Sequence, residues 1–195
     1  AIAKKHEKVR VYQRAFDDFS TQKNIAISKA THDWVVFFDP DEVITKALAQ
    51  EILSSLENPK AIAYFVNRSF HFMGKRIKYS GLQNDDVIRV FNKNYCKYND
   101  NLVHEVLETN GRTAKLKNTL PHYTYKSFDD YTSKMHHYSA LKAKMLYKKG
   151  VKPKGYHFFF RPWYRFINQY FLRGGFLDGK EGFILAYVSA FSVFK

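Results

Sequence analysis

Asp33 to Asp39 reads Asp-Trp-Val-Val-Phe-Phe-Asp, an unbroken apolar run between two aspartates. Its length and β-branched and aromatic content mark a strand covered on both faces, as in a parallel sheet. Asp39, Pro40, Asp41 and Glu42 follow at once. Thr45 then caps a helix that carries Leu48, Ile52 and Leu56 on one side and stops at Asn58-Pro59. A buried strand, an acidic turn and an amphipathic helix in that order point to an α/β sheet, in which ligands bind beyond the carboxyl ends of strands.

The rest of the chain extends this pattern. Ile2 to Lys5 reads as the end of a helix and Val9 to Tyr12 as a short strand. Ser20 or Thr21 caps a helix running to about Ala30. Ile62 to Phe70 alternates as a strand, Gly74-Lys75 turns it into a second extended piece, and Asp86 to Asn92 and Arg112 to Thr119 are further strands. Strand–helix alternation followed by strand-rich sequence predicts an α/β sheet with a mixed far half over residues 1–125. Residues 126–195 read as a helical region. Ser127 and Asp130 form a capping box for a helix to Lys149, ended by Gly150. Its predicted apolar face is Phe128, Tyr131, Met135, Tyr138, Leu141 and Met145. Beyond Tyr156 the sequence is aromatic and basic, and a second amphipathic stretch follows Gly174-Gly175.

Composition limits the partners. The net charge of +14 favours an anionic partner: nucleic acid, acidic lipid or a phosphorylated substrate. The single Cys96 excludes an internal disulfide framework and fits a reducing compartment. No Cys/His spacing resembles a zinc site, no apolar h-region follows the first charges, and Gly182 to Phe194 is too short to span a bilayer. The chain lacks an initiator Met and begins inside a helical pattern, which reads as a fragment of a longer protein. No RNA-binding aromatic signature, helix-turn-helix pattern or zinc ligand set is present, so nucleic acid is not the expected partner, and no Gly-rich phosphate loop supports metal-dependent phosphoryl transfer.

Three carboxylates at a strand end in so basic a chain suit a hard divalent cation, Mg2+ or Mn2+, bridging to phosphate. The alternative is a solvated turn that also caps the following helix. Arg89 sits in an apolar strand and must find a partner, either phosphate or Asp85 or Asp86. His122 follows a proline and is either part of a phosphate site or structural. His104-Glu105 is either a catalytic pair or a surface loop pair. His136 and His137 are helix neighbours that point apart and do not form a metal pair. The Lys-rich tract from Lys142 to Lys154 is a solvated or lipid-facing surface; followed by Phe158, Phe159, Phe160, Trp163 and Tyr164, it favours peripheral membrane contact.

Asn24 to Glu42 resembles family 2 glycosyltransferases, where an Asn-x-Ala helix precedes a strand ending in Asp-x-Asp. The similarity is strongest to the bacterial lipopolysaccharide-core branch, the WaaE- or KdtX-like enzymes. Gly81 to Phe91 is similar to that branch's Gly-Trp-x-x-Asp-x-x-x-Arg-Leu-Phe segment, with Leu82 in place of Trp. Val103-His104-Glu105 matches its Val-His-Glu motif, Leu120-Pro121-His122-Tyr123 its Leu-x-His-Tyr, and Leu177-Asp178-Gly179 falls in a C-terminal Gly-rich segment.

The resemblance implies a GT-A-like three-layer sandwich with a mixed sheet, lacking its first nucleotide-binding strands, with C-terminal helices added. It implies metal-assisted, inverting transfer of a sugar from a nucleotide-sugar to a hydroxyl of an envelope glycan or glycolipid such as lipopolysaccharide core. It places the enzyme on the cytoplasmic face of an anionic membrane. In that reading Asp41 and Asp39 hold the metal, Asp39, Asp85 and Arg89 meet the donor, and Glu105 with His104 supplies the base. Glu42 coordinates or caps, and His122 completes the phosphate site. Two rival readings are a catalytically inactive remnant acting as a membrane-associated interaction module, and a basic nucleic-acid-binding protein.

Overall fold

The computed structural model describes residues 2–83, 85–99 and 106–195. A mixed sheet organises the first two thirds of the chain. Its strands are β1 (Trp34–Val36), β2 (Ala63–Phe72), β3 (Lys75–Arg76), β4 (Asp86–Asn92) and β7 (Thr113–Tyr125). β2 is the centre: β4 lies antiparallel along one side and β7 parallel along the other. β1 extends the sheet beyond β4, antiparallel to it, with Val36 opposite Val90. A separate hairpin joins β5 (Cys96–Tyr98) to β6 (Leu107–Thr109).

Two helices cover this sheet. The first, α1 (Phe19–Ser28), is capped by Asp18, whose side chain accepts from the Thr21 N–H, and not by Ser20 or Thr21. Asn24 ties it to β5: its amide exchanges two 3.0 Å hydrogen bonds with the backbone of Tyr98. The second, α2 (Lys46–Glu57), starts at Thr45 as its sequence predicts and buries Leu48 and Ile52 against Tyr64, Val66, Val90 and Leu120. Val9 to Tyr12 does not form a strand; it has no ladder partner among the described residues. β1 also departs from expectation. Its ladder is antiparallel and only Val35 is buried, with Val36 facing solvent.

The parallel partner β7 contains a bulge. Phe65 pairs with Lys115 but Asn67 with Thr119, so Val66 alone on β2 opposes Leu116, Lys117 and Asn118 on β7. The N–H groups of Lys117 and Asn118 are thereby released from the ladder. Glu51, from α2, accepts both at 2.6 and 2.8 Å. Burial opposes charge on this carboxylate, but the two N–H donors and the Asn118 amide prevail and lower its pKa. The hairpin from β2 to β3 turns at Met73 and Gly74, both with positive φ (51° and 84°).

Residues after Tyr125 are helical. α3 (Phe128–Lys148) begins at Ser127, whose hydroxyl accepts from Asp130 N–H. The reciprocal bond of a capping box goes instead to the Lys126 N–H, 3.3 Å from Asp130 Oδ2. Of its predicted apolar face, Tyr131 is buried and Met135 packs against the core, while Phe128, Tyr138, Leu141 and Met145 stay exposed. Then come α4 (Gly155–Phe158), α5 (Phe160–Ile167) running on into a π turn at Asn168–Leu172, a 3-10 turn at Gly175–Asp178, and α6 (Lys180–Phe194). Leu185 and Val188 of α6 join Tyr131, Phe72 and Ile77 in a core cluster that seals the β2–β3 end of the sheet.

Candidate active site

The site is built where β1, β2, β4 and β7 meet the acidic turn. Beyond Val36, the Phe37 N–H donates to Arg89 O at 2.8 Å, so the chain leaves β1 alongside Arg89. Arg89 is 3% exposed, and a buried guanidinium needs acceptors. It finds them in Asp39 Oδ2 at 2.5 Å and Glu42 Oε1 at 2.5 Å. The Glu42 side chain is wholly buried. Its second oxygen accepts from the Asp39 N–H at 3.0 Å, and its own N–H donates back to Asp39 O at 3.1 Å. The turn is therefore closed around Glu42 and bolted to β4 by Arg89. Burial alone would lower the Arg89 pKa, but the Glu42 hydrogen bond and the charges of Asp39 and Glu42 hold it above its ordinary value.

A second arginine, absent from the sequence reading, completes the frame. On β2 the Arg68 N–H donates to Asp85 O at 2.8 Å. Its side chain returns to the same residue, with Nε 2.8 Å and Nη2 2.7 Å from Asp85 Oδ2, while Nη1 lies 3.4 Å from Glu42 Oε1. The signal that could have found it is a cation in the middle of a strand otherwise rich in large apolar side chains, paired in register with an acidic strand start.

The third wall is β7. The Val43 N–H donates to Pro121 O and the Tyr123 N–H to Asp41 O, both at 2.9 Å, so the acidic turn runs antiparallel to His122. His122 Nε2 lies 3.2 Å from Asp41 Oδ2, and the Thr124 hydroxyl lies 3.0 Å from the same nitrogen.

Asp39, Asp41, Glu42, Arg89 and His122 thus come together, with Asp85 joined through Arg68. Asp39, Asp41 and Asp85 keep side chains 31%, 41% and 40% exposed, so they can meet a ligand; Glu42 cannot without unmaking the turn. Arg89 pairs with neither Asp85 nor Asp86. Asp86 is bound by Lys115 and Asn67, which lower its pKa. The cap of α2 is Thr45 and not Glu42. His104 and Glu105 lie outside the described residues. Among the described residues no group of three or more His, Cys, Asp or Glu forms a metal cage by itself. Two open grooves, one between α1 and the β5–β6 hairpin and one beside residues 8–14, are not lined by any of these carboxylates.

Residues 1–118 match the model for glycosyl transferase family 2, and the chain belongs to that family. Its mixed sheet with covering helices is the GT-A-like α/β fold. The chain is 25% identical over 185 residues to an uncharacterized glycosyltransferase of Rickettsia typhi, covering 89% of this chain and 63% of that protein. A Rickettsia prowazekii protein of the same description matches with the same identity and coverage. A TPR repeat-containing protein of Synechococcus elongatus is 42% identical over 52 residues, which is 27% of this chain and 13% of that protein. The chain therefore spans less than two thirds of the length of its rickettsial relatives.

Proposed function

We propose that this protein carries the site of a nucleotide-sugar-dependent transferase that glycosylates a hydroxyl of an envelope glycan or glycolipid, such as lipopolysaccharide core, with inversion. The observation that carries the reading is the framed set of partly exposed carboxylates, Asp39, Asp41 and Asp85, each fixed through one oxygen by Arg89, His122 or Arg68.

Asp41 and Asp39 suit a Mg2+ or Mn2+ ion, which takes one or two protein carboxylates and draws its other ligands from water and substrate phosphate. A metal held there would supply positive charge opposite a nucleoside diphosphate leaving group. Arg89 orients Asp39 and holds the turn against β4. His122 and Thr124 orient Asp41. Arg68 presents Asp85 toward donor or acceptor sugar. Direct displacement needs one base for the acceptor proton, and our candidate is Glu105 with His104 beside it. The similarity to the lipopolysaccharide-core branch supports the acceptor class. The basic, aromatic helices after Tyr125 support placement on the inner face of the cytoplasmic membrane.

Calorimetric titration with UDP-, GDP- and CMP-sugars, with and without Mn2+, tests this. The expected result is metal-dependent binding of one donor that Asp41→Ala loses. Binding indifferent to metal and to Asp41→Ala overturns the metal assignment; no binding of any donor overturns the assignment of a donor site to these residues.

A further inference from the structure

α6 is apolar on both sides. Leu185 and Val188 face the core, while Phe183, Tyr187, Phe191 and Phe194 form an outward stripe at spacings of three and four residues, each between 46% and 55% exposed. A helix apolar all round is ordinarily buried or spans a membrane. At 15 residues α6 is about 22 Å long, short of the ~30 Å hydrocarbon core, and no described helix is long and apolar enough to cross.

The stripe continues onto the neighbouring helices. Phe158 packs edge-on against Phe194 at 6.0 Å between ring centroids, and Arg165 Nε donates to Ser189 Oγ at 2.8 Å, locking α5 to α6. From this pair Phe159, Phe160, Trp163 and Tyr164 project, each between 62% and 74% exposed. Charge is segregated to the same region. Residues 131–195 hold twelve Lys and Arg against two acids, Asp178 and Glu181. Asp178 is buried and Glu181 is paired with Lys75 at 2.9 Å, so neither offsets the outward charge.

The geometry points to the α4–α6 face as a docking surface for an anionic lipid bilayer, with the rings seated at the headgroup level and the basic residues of α3, the 149–154 connection and α5 on the phosphates. The inference deepens the membrane placement proposed above and rests on it. Charge complementarity selects this occupant. A second copy of the chain would bring the same positive charge against itself, whereas acidic headgroups attract Lys and Arg near the surface. Phe159, Phe160, Phe183, Phe191 and Phe194 carry no hydrogen-bonding edge and gain only by leaving water. Amphipathic, basic, ring-rich helices too short to span lie in the interface plane.

The test is co-sedimentation with vesicles of phosphatidylglycerol and phosphatidylethanolamine, or of phosphatidylcholine alone, with neither donor nor metal added. Binding to the anionic vesicles alone is expected, weakened by salt, with a blue shift of tryptophan emission that Trp163→Phe removes. Phe159→Ser with Phe160→Ser changes two exposed rings and is expected to leave thermal melting unchanged. That pair, and separately Lys148→Glu with Lys152→Glu, is expected to lower partitioning about tenfold or more. Equal partitioning of the wild type and the Phe variant, or equal binding to phosphatidylcholine, overturns the proposal. So does a stable dimer in light scattering that the Phe variant dissolves, or an oligonucleotide that competes the protein off the vesicles. Because no donor is present, vesicle binding without donor binding would refute the donor-site assignment alone, and donor binding without vesicle binding would refute only the docking face.

Discussion

Arg89 and Glu42 stand 47 residues apart in the chain and 2.5 Å apart in the fold, an ion pair whose carboxylate is wholly buried. Removing Glu42 leaves the buried Arg89 with Asp39 alone, and removing Arg89 leaves the Glu42 carboxylate with the Asp39 N–H and the more distant Arg68. Arg89→Ala or Glu42→Ala is expected to cost about 3–5 kcal/mol in urea unfolding. The apolar double variant Glu42→Leu/Arg89→Met is expected to recover most of that loss without recovering donor binding, because Asp39 then has no anchor. Full recovery of both would show that the pair does not orient the site.

Arg68 grips Asp85 through two nitrogens, a geometry a lysine cannot reproduce. If Asp85 meets the sugar, Arg68→Ala and Arg68→Lys alike should lower kcat/KM by about 100-fold, the scale of a ~1 Å misplacement. Melting temperature should move far less for Lys than for Ala. Full activity of Arg68→Lys would remove Asp85 from the reacting set.

Glu51 gives the protein an acid-sensitive joint. Its folded pKa lies below its ordinary 4.5, so the unfolded chain takes up its proton first as pH falls. The stability this carboxylate contributes is complete above 4.5 and drains as pH drops through the lower folded value. Glu51→Gln should be less stable at neutral pH and should show a shallower loss between neutral and acid, read as urea midpoints at successive pH values.

Gly182 allows α6 to touch the preceding turn. A Cβ there would lie 1.8 Å from Gly175 O, backbone against backbone, with no flexible side chain to give way. Gly182→Ala is expected to destabilise the chain by about 2 kcal/mol or more, seen as a lower melting temperature. Gly150→Ala meets no neighbouring atom and should cost only the strain of its positive φ of 70°.

What the sequence showed was local. Thr45 and Ser127 declare their helices because a cap and the first helical turn are contiguous, and β2 and β4 declare themselves by alternation or apolar run. Asp18 was hidden because four polar candidates, Asp17, Asp18, Ser20 and Thr21, crowd one helix start. Val9 to Tyr12 has strand-like residues, but alternation over four positions does not supply a ladder partner. The site was half legible. The acidic turn stands out in sequence, yet the partner of Arg89 does not. Its nearest acids in sequence, Asp85 and Asp86, lie on its own strand or just before it, and only the antiparallel pairing of β1 with β4 brings Asp39 and Glu42 alongside. Arg68 escaped for the same reason, since its role depends on β2–β4 register. The face of α3 was overread because helical period tells which residues line up and not how far a neighbouring element extends to cover them.

The core cluster at the β2–β3 end has a bearing on how the chain may be cut. Phe72 and Ile77 come from before Tyr125, and Tyr131, Leu185 and Val188 from after it. The Asp178 carboxylate also clasps the Lys78 and Tyr79 N–H groups at 3.0 and 2.9 Å. A protein stopped at Tyr125 would leave two large side chains bare and untie the loop leading to Asp85. Such a piece should aggregate on expression, and the whole chain should melt in a single calorimetric transition. The helices, on this account, are as much a part of the scaffold under the acidic turn as the sheet itself.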